Sequence, residues 1–413
     1  MLIIYRILIN IVFIFSPIII IFRLLKKKEH FKRFKEKFCF FSKEKKNGKL
    51  IWFHGASVGE LQSIMPLIKK LEKNKNIKQI LITSNTLSSS KVIQKYKFKK
   101  IVHQFFPIDT NFLSKKFINY WKPSAVFFID SEIWPNIINN LNKKKIPIVL
   151  LNGRITKKTF NKWMNVHNFA KNIFRKFDLC LSSNNKSKIN LKKLGATKIK
   201  IIGNLKFSQL ENEKNLIHNN LKKFMKSKNV WCASSTHETE EFFCGLVHKE
   251  LKKKYKNLLT IIIPRHVERV KEIEQNLNNL KLITHIDEPL KKIKKDTDIY
   301  LVNSYGKTKS FYNNCKNVFL GGSIVNHGGQ NPLEAARYGC NILHGPNISN
   351  FDEIYKFLKN KKISIKINNQ KQMISKINVF FKKRTNSKLI QTKLKLIGEK
   401  ILSKTYNEIS FFL

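Results

Sequence analysis

The stretch that decides the fold is VFLGGSIVNHGGQNPLEAARYGCNILHGP, residues 318–346. An apolar run that starts at Val318 leads into paired glycines and a polar loop. Asn331, Pro332 and Glu334 then have the pattern of an N-cap, a proline at the first helical position and an early carboxylate. We therefore predict a strand, a loop and a helix start. Such a junction directs backbone N–H groups and the positive end of the helix dipole into a crevice where an anion or a nucleotide can bind.

The composition indicates a two-domain globular protein with a strong basic bias. The 413 residues include 80 Lys and Arg against 27 Asp and Glu, a formal net charge of +53. Lysine is spread along the whole chain and arginine is scarce, a skew typical of an AT-rich genome, which we take as the source of most of this charge. The six cysteines lie far apart and form no Cys-x-x-Cys pair, so we expect reduced thiols in the cytosol.

The N-terminus differs from the rest of the chain. Between Arg6 and Arg23 the sequence is almost wholly apolar, and the run extends to Leu2 and Leu25 if the arginines snorkel. A basic cluster follows, with no small-residue cleavage site, which favours a cytoplasmic location for the remaining chain. We predict that residues 1–25 form an uncleaved membrane anchor, single-pass or monotopic; the alternative is a buried core helix.

Short apolar runs alternate with longer helical stretches through the rest of the chain. Continuous apolar strands separated by helices predict parallel sheets buried on both faces. We expect two doubly wound sheets with a cleft between them, and a boundary within the polar stretch 203–215. The predicted strands are Leu50–Phe53, Ile80–Thr83, Ala125–Ile129, Ile148–Leu151, Leu179–Ser182, Ile199–Ile202, Val230–Ala233, Leu259–Ile263, Ile299–Val302, Val318–Leu320 and Asn341–Leu343.

Three strand-to-helix junctions share a capping-box pattern. They are the segments Ser57–Glu60, Ser235–Glu238 and Asn331–Glu334, each of which follows a predicted strand. One such pattern is explained by helix capping alone, worth about 1 kcal/mol. Three of them at strand ends of two parallel sheets also match the place where α/β enzymes build their sites.

Seven motifs follow one another along the chain: WFHGASVGE (52–60), SEIWPN (131–136), NGR (152–154), GNLKF (203–207), SSTHE (234–238), IPRH (263–266) and the stretch 318–346. In this order they resemble the motifs of the 3-deoxy-D-manno-octulosonic acid (Kdo) transferases, which move Kdo from CMP-Kdo onto the lipid A precursor. The resemblance covers almost the whole chain.

The resemblance implies an α/β GT-B glycosyltransferase with two Rossmann-like doubly wound domains and an interdomain cleft. Residues 26–208 would form the acceptor-binding domain and residues 209–413 the CMP-Kdo-binding domain, at the cytoplasmic face of the inner membrane. Glu60 corresponds to the general base of an inverting transfer, and because it lies at a helix N-terminus we expect it to be ionised at neutral pH. Ser57, Glu132 and Arg154 fall on the acceptor side, although Glu132 could equally be a structural acceptor for backbone groups.

The donor side would stabilise the phosphate of CMP through an arginine fork, a lysine and loop groups, and would bind the ribose through Glu334. The predicted partners are CMP-Kdo, the lipid A precursor and an anionic membrane surface, without nucleic acid, and neither a cofactor nor a metal is expected. The donor-binding residues are Lys206, Ser234, Ser235, Thr236, Arg265, His266, Gly321, Gly322, Ser323, Asn331 and Glu334.

Some positions depart from the family pattern, and two other functions stay open. Residues 303–307 read NSYGK where the family usually has DTxGE, and Ser208 stands where Asp is usual. A slower enzyme is the expected consequence. The alternatives are another GT-B transferase that uses a UDP-sugar, and a basic nucleic-acid-binding protein; the second lacks any recognisable nucleic-acid motif.

Overall fold

The chain folds into two units, each built on a parallel sheet of seven strands, as seen in a computed structural model of the protein. The first unit comprises Met1–Leu210 and Ile397–Leu413, and the second comprises Glu211–Leu396. The predicted α/β class with two doubly wound sheets is confirmed. The structure describes residues 1–96, 98–209, 216–288, 292–383 and 386–413, so residues 210–215 of the predicted boundary lie outside it.

The sheet of the first unit has the strand order β3-β2-β1-β4-β5-β6-β7. Its strands are β1 Lys49–His54, β2 Ile77–Ser84, β3 Ile101–Phe105, β4 Ala125–Ile129, β5 Ile148–Gly153, β6 Leu179–Ser182 and β7 Ile199–Ile201. The helices before and between them are α1 Leu2–Leu25, α2 Val58–Glu72, α3 Leu87–Gln94, α4 Asn111–Trp121, α5 Pro135–Lys143, α6 Lys157–Met164, α7 His167–Phe174 and α8 Asn185–Lys193.

Both faces of this sheet are covered, which explains its continuous apolar strands. Trp52 and Phe128 belong to the apolar cluster on one face. Their neighbours Ile51, Phe53 and Phe127 belong to the cluster on the other face. Since successive strand residues point to opposite faces, each must be apolar for both sides to pack against helices.

The sheet of the second unit has the order β10-β11-β9-β8-β12-β13-β14. Its strands are β8 Asn229–Thr236, β9 Leu258–Pro264, β10 Thr284–Ile286, β11 Ile299–Leu301, β12 Asn317–Leu320, β13 Asn341–His344 and β14 Ser364–Lys366. The helices from residue 216 onward are α9 Asn219–Lys226, α10 Glu240–Lys254, α11 Val270–Asn279, α12 Thr308–Asn314, α13 Leu333–Arg337, α14 Asp352–Asn360, α15 Gln370–Lys382 and α16 Ser387–Ile409.

The end of the chain, Ile397–Leu413, belongs with the first unit, although residues 209–413 were expected to form the second domain. Ile401 and Ile409 join the same apolar cluster as β1 and β4. Lys200 Nζ also lies 2.7 Å from Glu408 Oε2. The prediction differs from the structure because the composition does not change along the long helix α16, so nothing in the sequence indicates that its second half packs on the first unit.

Each sheet has a point where the strand order reverses, and ligands of open α/β sheets bind beside the carboxyl ends of the strands at such a point. In the first unit this point lies between β1 and β4, and in the second between β8 and β12. The loops after these four strands therefore define the two candidate sites.

Candidate functional site

Glu60 lies in the first turn of α2, directly after the carboxyl end of β1. Ser57 is the N-cap, and its hydroxyl accepts a hydrogen bond from the Glu60 backbone N–H at 3.3 Å. The Glu60 carboxylate accepts hydrogen bonds from the Ala56 N–H and the Ser57 hydroxyl, both at 2.8 Å. The capping box predicted here is formed, and it fixes the carboxylate at the switch point of the first sheet.

The pKa of Glu60 lies near neutrality. Burial raises this pKa to about 7, and the charges of Asp130 and Glu132 add to the rise, while hydrogen bonds from Ser57 and Ala56 oppose it. We expected Glu60 to be ionised at neutral pH, but a pKa of about 7 leaves only part of it ionised, because desolvation and two nearby carboxylates oppose the field of the helix terminus. A carboxyl group with this pKa is well matched to general base catalysis.

Asp130 is a site residue that was not predicted from the sequence. It follows β4 in a left-handed backbone conformation, with φ 56°, and is only 8% exposed. Its carboxylate accepts a hydrogen bond from Asn152 Nδ2 and lies 3.7 Å from Lys206 Nζ. Asn152 also has a positive φ, 55°, and its Oδ1 accepts a hydrogen bond from the Leu205 N–H at 2.9 Å. The sequence pattern that could have predicted it is an acidic residue directly after an apolar strand, at the point where the strand order reverses.

Glu132 has two side-chain donors. His54 Nε2 lies 3.2 Å and Trp134 Nε1 3.0 Å from the same oxygen, Glu132 Oε2. Burial lowers the pKa of His54, so its imidazole is neutral, and its Nδ1 lies 2.9 Å from the Thr83 hydroxyl. We assign the Nε2–H tautomer, in which His54 donates to Glu132. Glu132 is thus a structural acceptor, for two side chains rather than for backbone groups, and it also contributes negative charge near Glu60.

The predicted donor-binding residues are divided between the two units. Lys206 lies in the first unit, on a short 3-10 helix, Leu205–Ser208, where it faces Asp130. Arg154, predicted on the acceptor side, follows β5, and its N–H donates to the Asp130 carbonyl at 3.1 Å. The structure therefore brings Lys206 and Arg154 together with Asp130 in the first unit.

The glycine loop of the second unit, Gly321–Ile324, is already occupied by a carboxylate. Glu240 is fully buried, and it accepts hydrogen bonds from the N–H groups of Gly322, Ser323 and Ile324 at 2.6, 3.0 and 2.9 Å, and from His237 at 3.0 Å. The prediction of bare N–H groups for an anion is wrong at these residues. Glu240 itself was missed.

Two of the three predicted capping boxes are wrong. Helix α10 begins at Glu240 after Thr239, which has φ 72° and makes no side-chain cap, so Glu238 does not reach back to Ser235. Helix α13 has only five residues and begins at Leu333, with Pro332 in the cap position. Helix α10 has no local capping box, and the buried Glu240 carboxylate instead accepts hydrogen bonds from backbone N–H groups of both the loop after β8 and the glycine loop.

Close backbone approach explains why Gly321 is a glycine. A Cβ at this position would lie 2.5 Å from the Ser235 carbonyl oxygen and 2.7 Å from Glu240 Oε2. Gly322 has φ 64°, a left-handed conformation that favours glycine. Both glycines therefore let the glycine loop pack onto β8 and Glu240, and they shape the site rather than expose donors.

The hydroxyl-bearing residues at the end of β8 have different environments. Ser234 and Thr236 are fully buried, and Ser234 Oγ lies 2.7 Å from the Tyr312 hydroxyl. Ser235 is half-buried, with φ 55°. Of these three predicted donor-binding residues, Ser235 is the one whose side chain is not buried.

Arg265 stands among histidines at the ends of β8 and β9. Its side chain is exposed, its N–H donates to the Thr236 carbonyl at 2.9 Å, and it makes no ion pair with any residue that the structure describes. The ring of His237 lies 4.1 Å from that of His327 and 6.0 Å from that of His266. Burial lowers the pKa of His237 to about 4, with further lowering from the two histidines and Arg265. This cluster suits a phosphate group.

The remaining predicted donor contacts lie on the segment before and within α13. Asn331 Oδ1 accepts a hydrogen bond from the Leu333 N–H at 3.1 Å, so its side chain turns the chain into the helix. Glu334 is half-buried in the first turn. Ser323 is buried, and its Oγ accepts a hydrogen bond from the Gly345 N–H at 2.8 Å. His266 pairs with Glu268 at 3.3 Å.

A family model and several relatives of this chain carry the name of one enzyme. Residues 32–209 match the family model of 3-deoxy-D-manno-octulosonic-acid transferase (kdotransferase). The 3-deoxy-D-manno-octulosonic acid transferase of Rickettsia bellii is 32% identical over 363 residues, covering 87% of this chain and 85% of that protein. The Haemophilus influenzae protein of the same name is 28% identical over 312 residues, covering 75% of this chain and 73% of that protein.

A solved structure shows the same fold at low identity. The crystal structure of a putative UDP-N-acetylglucosamine 2-epimerase from Listeria monocytogenes has a TM-score of 0.59 and 13% identity, covering 88% of this chain and 97% of that chain. With 32% identity across 85% of the Rickettsia bellii protein, and with the motif series at the strand ends of two doubly wound sheets, this chain belongs to the Kdo transferase family of glycosyltransferases.

Proposed function

We propose that this chain transfers Kdo from CMP-Kdo to the lipid A precursor (lipid IVA) with inversion at the anomeric carbon. Family membership supports the transfer of Kdo. The observation that carries the mechanism is Glu60, a carboxylate with a pKa near 7, held at the switch point of the first sheet. Glu60 takes the proton of the acceptor hydroxyl as that oxygen attacks the anomeric carbon, and the bond from that carbon to the phosphate oxygen breaks. A single displacement of this kind inverts the configuration.

The surroundings of Glu60 supply its basicity and its position. Ala56 and Ser57 hold both carboxylate oxygens, so the proton acceptor is fixed before substrate arrives. Asp130 and Glu132 disfavour the charged form and so make the carboxylate a stronger base. Each of these neighbours is itself held, by Asn152 in one case and by His54 in the other.

On the donor side we propose that Arg265 binds the phosphate of CMP. The guanidinium is exposed and unpaired among the residues that the structure describes, so it is available to a phosphate oxygen. The half-buried Ser235 and Glu334 are the proposed contacts to the nucleotide, with Glu334 accepting from the ribose hydroxyls. The scheme uses no divalent metal.

The rate of transfer is expected to rise with pH through about 7. Below that pH Glu60 is protonated and cannot accept a proton, and above it the carboxylate is available. Asp130→Asn removes one of the charges that raise this pKa, so the half-maximal rate should move to lower pH by about one unit. The measurement is kcat against pH for both proteins.

Asp178→Asn is the matched control for this profile. Asp178 is likewise held by a hydrogen bond, because its Oδ2 accepts from the Ile148 N–H at 2.8 Å, at the amino end of β5. Its variant should keep the wild-type profile. An Asp130→Asn profile that superimposes on the wild type would show that Asp130 does not tune the base.

Arg265→Ala is expected to weaken CMP binding by about 10- to 100-fold, the value of a charge-assisted hydrogen bond pair. Stability should be unchanged because the side chain is exposed and makes no described ion pair. Calorimetric titration with CMP and with UDP measures the effect and tests the donor class together. The exposed Lys271, on α11, gives the control variant Lys271→Ala. Tighter binding of UDP than of CMP to the wild type would overturn the proposed donor.

A further inference from the structure

Helix α1 is long and strongly apolar, and it contacts the first unit along one narrow side. It is the one helix of the described chain that is long and apolar enough to cross a membrane, with 24 residues and a mean hydropathy of 2.5. The less exposed positions recur every three or four residues from one end to the other, which marks a single stripe. They are Leu2, Tyr5, Arg6, Ile9, Phe13, Ser16, Ile20, Arg23 and Leu24.

Four polar side chains of α1, those of Tyr5, Arg6, Ser16 and Arg23, lie on this covered stripe, whereas Asn10 is exposed. The Tyr5 hydroxyl donates to Asp109 Oδ2 at 2.8 Å. Arg6 donates to Asn136 Oδ1 at 3.0 Å and to Asn111 Oδ1 at 3.1 Å. These three partners lie just before, or in the first turns of, α4 and α5, so the amino end of α1 is fixed to the body of the first unit.

The carboxyl half of α1 is attached as well. The ring of Phe13 packs edge-on against Phe38, with centroids 6.0 Å apart. Ser16 and Ile20 are buried. Arg23 Nε donates to Glu29 Oε1 at 2.7 Å. The helix therefore contacts the unit at both ends of a cylinder about 36 Å long.

The opposite face is apolar and open. Thirteen large apolar side chains of α1 are 45% exposed or more, namely Ile3, Ile4, Ile7, Leu8, Ile11, Val12, Ile14, Phe15, Ile18, Ile19, Ile21, Phe22 and Leu25. In an ordinary surface helix the apolar stripe faces the core and the polar face is outside. Here the outer face is apolar too, with Asn10 as its exposed polar side chain, which indicates an apolar medium outside the helix.

We infer that α1 lies in the plane of the membrane as a monotopic docking element, and that it does not span the bilayer. A spanning helix would have to detach from the unit and give up the hydrogen bonds that Tyr5 and Arg6 make to it. An in-plane helix keeps those bonds and buries its open face in the acyl boundary of one leaflet.

The neighbouring surface identifies the medium as an anionic leaflet. The segment directly after α1 carries the exposed lysines Lys26, Lys27 and Lys28, which suit acidic headgroups. Phe112, next to the Arg6 partner Asn111, is 70% exposed, and Phe31 is 79% exposed. Apolar anchors beside the helix and lysines at its end are expected of a surface that faces lipid.

This inference deepens the membrane association within the proposed function, and its test needs no transferase activity. One cysteine is placed in a short uncharged tag ahead of Met1, and separately as Lys28→Cys, in the full chain. The six native cysteines are all buried, so background labelling is low. Spheroplasts and inside-out inner-membrane vesicles are then treated with a membrane-impermeant maleimide.

Both cysteines should be labelled in inside-out vesicles and neither in intact spheroplasts. Labelling of the tag cysteine from the outer side alone would establish a spanning helix and overturn the inference. Equal labelling of either cysteine in spheroplasts and in inside-out vesicles would also overturn the inference.

A second measurement tests the lipid-facing surface itself. Ile14→Glu with Ile18→Glu should reduce the binding of purified full-length protein to phosphatidylglycerol vesicles at least tenfold. Ile189→Glu, on α8, alters an apolar residue that is 48% exposed elsewhere on the same unit and should leave binding unchanged. If the double variant bound vesicles as the wild type does, the inference would be contradicted. If the double substitution instead dissociated a dimer, the face would be an interface with a second copy of the chain, which would also contradict the inference.

Discussion

Glu60→Gln is expected to slow Kdo transfer by about 10²- to 10⁴-fold, the usual contribution of a general base. The amide can keep hydrogen bonds to Ala56 and Ser57, so the start of α2 should be preserved. It cannot accept the proton of the attacking hydroxyl. The loss should therefore fall on kcat, with little change in the KM for the donor, because Glu60 belongs to the first unit and the proposed nucleotide contacts belong to the second.

Glu72→Gln is the matched control for this experiment. Glu72 ends the same helix, and its carboxylate accepts a hydrogen bond from the Lys99 N–H, far from the carboxyl end of β1. That variant should have wild-type kinetics. If Glu60→Gln retained the wild-type kcat, the base would have to be sought elsewhere, with Asp130 the next candidate because of its burial beside Lys206.

Glu240→Ala is expected to destabilise the second unit by about 4 kcal/mol and to abolish measurable CMP binding. The substitution leaves four backbone donors of the β8 and glycine loops without their buried acceptor, and each such group carries a desolvation cost of about 1–3 kcal/mol. Urea unfolding measures the loss of stability. Amide hydrogen exchange at residues 322–324 locates it.

The control for Glu240 lies on the same helix. Glu250 is half-exposed and pairs with Lys253 at 2.7 Å, so Glu250→Ala should change stability by less than about 0.5 kcal/mol. Wild-type amide protection at residues 322–324 in Glu240→Ala would mean that the carboxylate does not organise the glycine loop.

The fold could be predicted from the sequence because its central strands are continuous apolar runs, and all eleven predicted strands are present. The described strands that were missed are β3, β10 and β14, which lie at the edges of the two sheets. Edge strands pair on one side and carry polar residues such as His103 and Gln104 in β3, so they lack a continuous apolar run. The return of α16 to the first unit was missed because tertiary contacts alone determine it.

The candidate site could be predicted where the interactions are local. Ser57 and Glu60 are three residues apart, and their capping box is formed. Glu240 and the glycine loop are separated by more than eighty residues, and no local pattern reveals that this carboxylate occupies those N–H groups. The raised pKa of Glu60 could not be predicted for the same reason. Asp130 and Glu132 come close to Glu60 only because β1 pairs with β4.

The central claim is tested most directly by incubating the purified wild-type protein with CMP-Kdo and a tetraacyl lipid A precursor and resolving the products by mass. We predict that the acceptor gains Kdo and that one CMP is released for each Kdo transferred. Unmodified acceptor in the presence of intact CMP-Kdo, or transfer only when a UDP-sugar replaces CMP-Kdo, would contradict the proposed function.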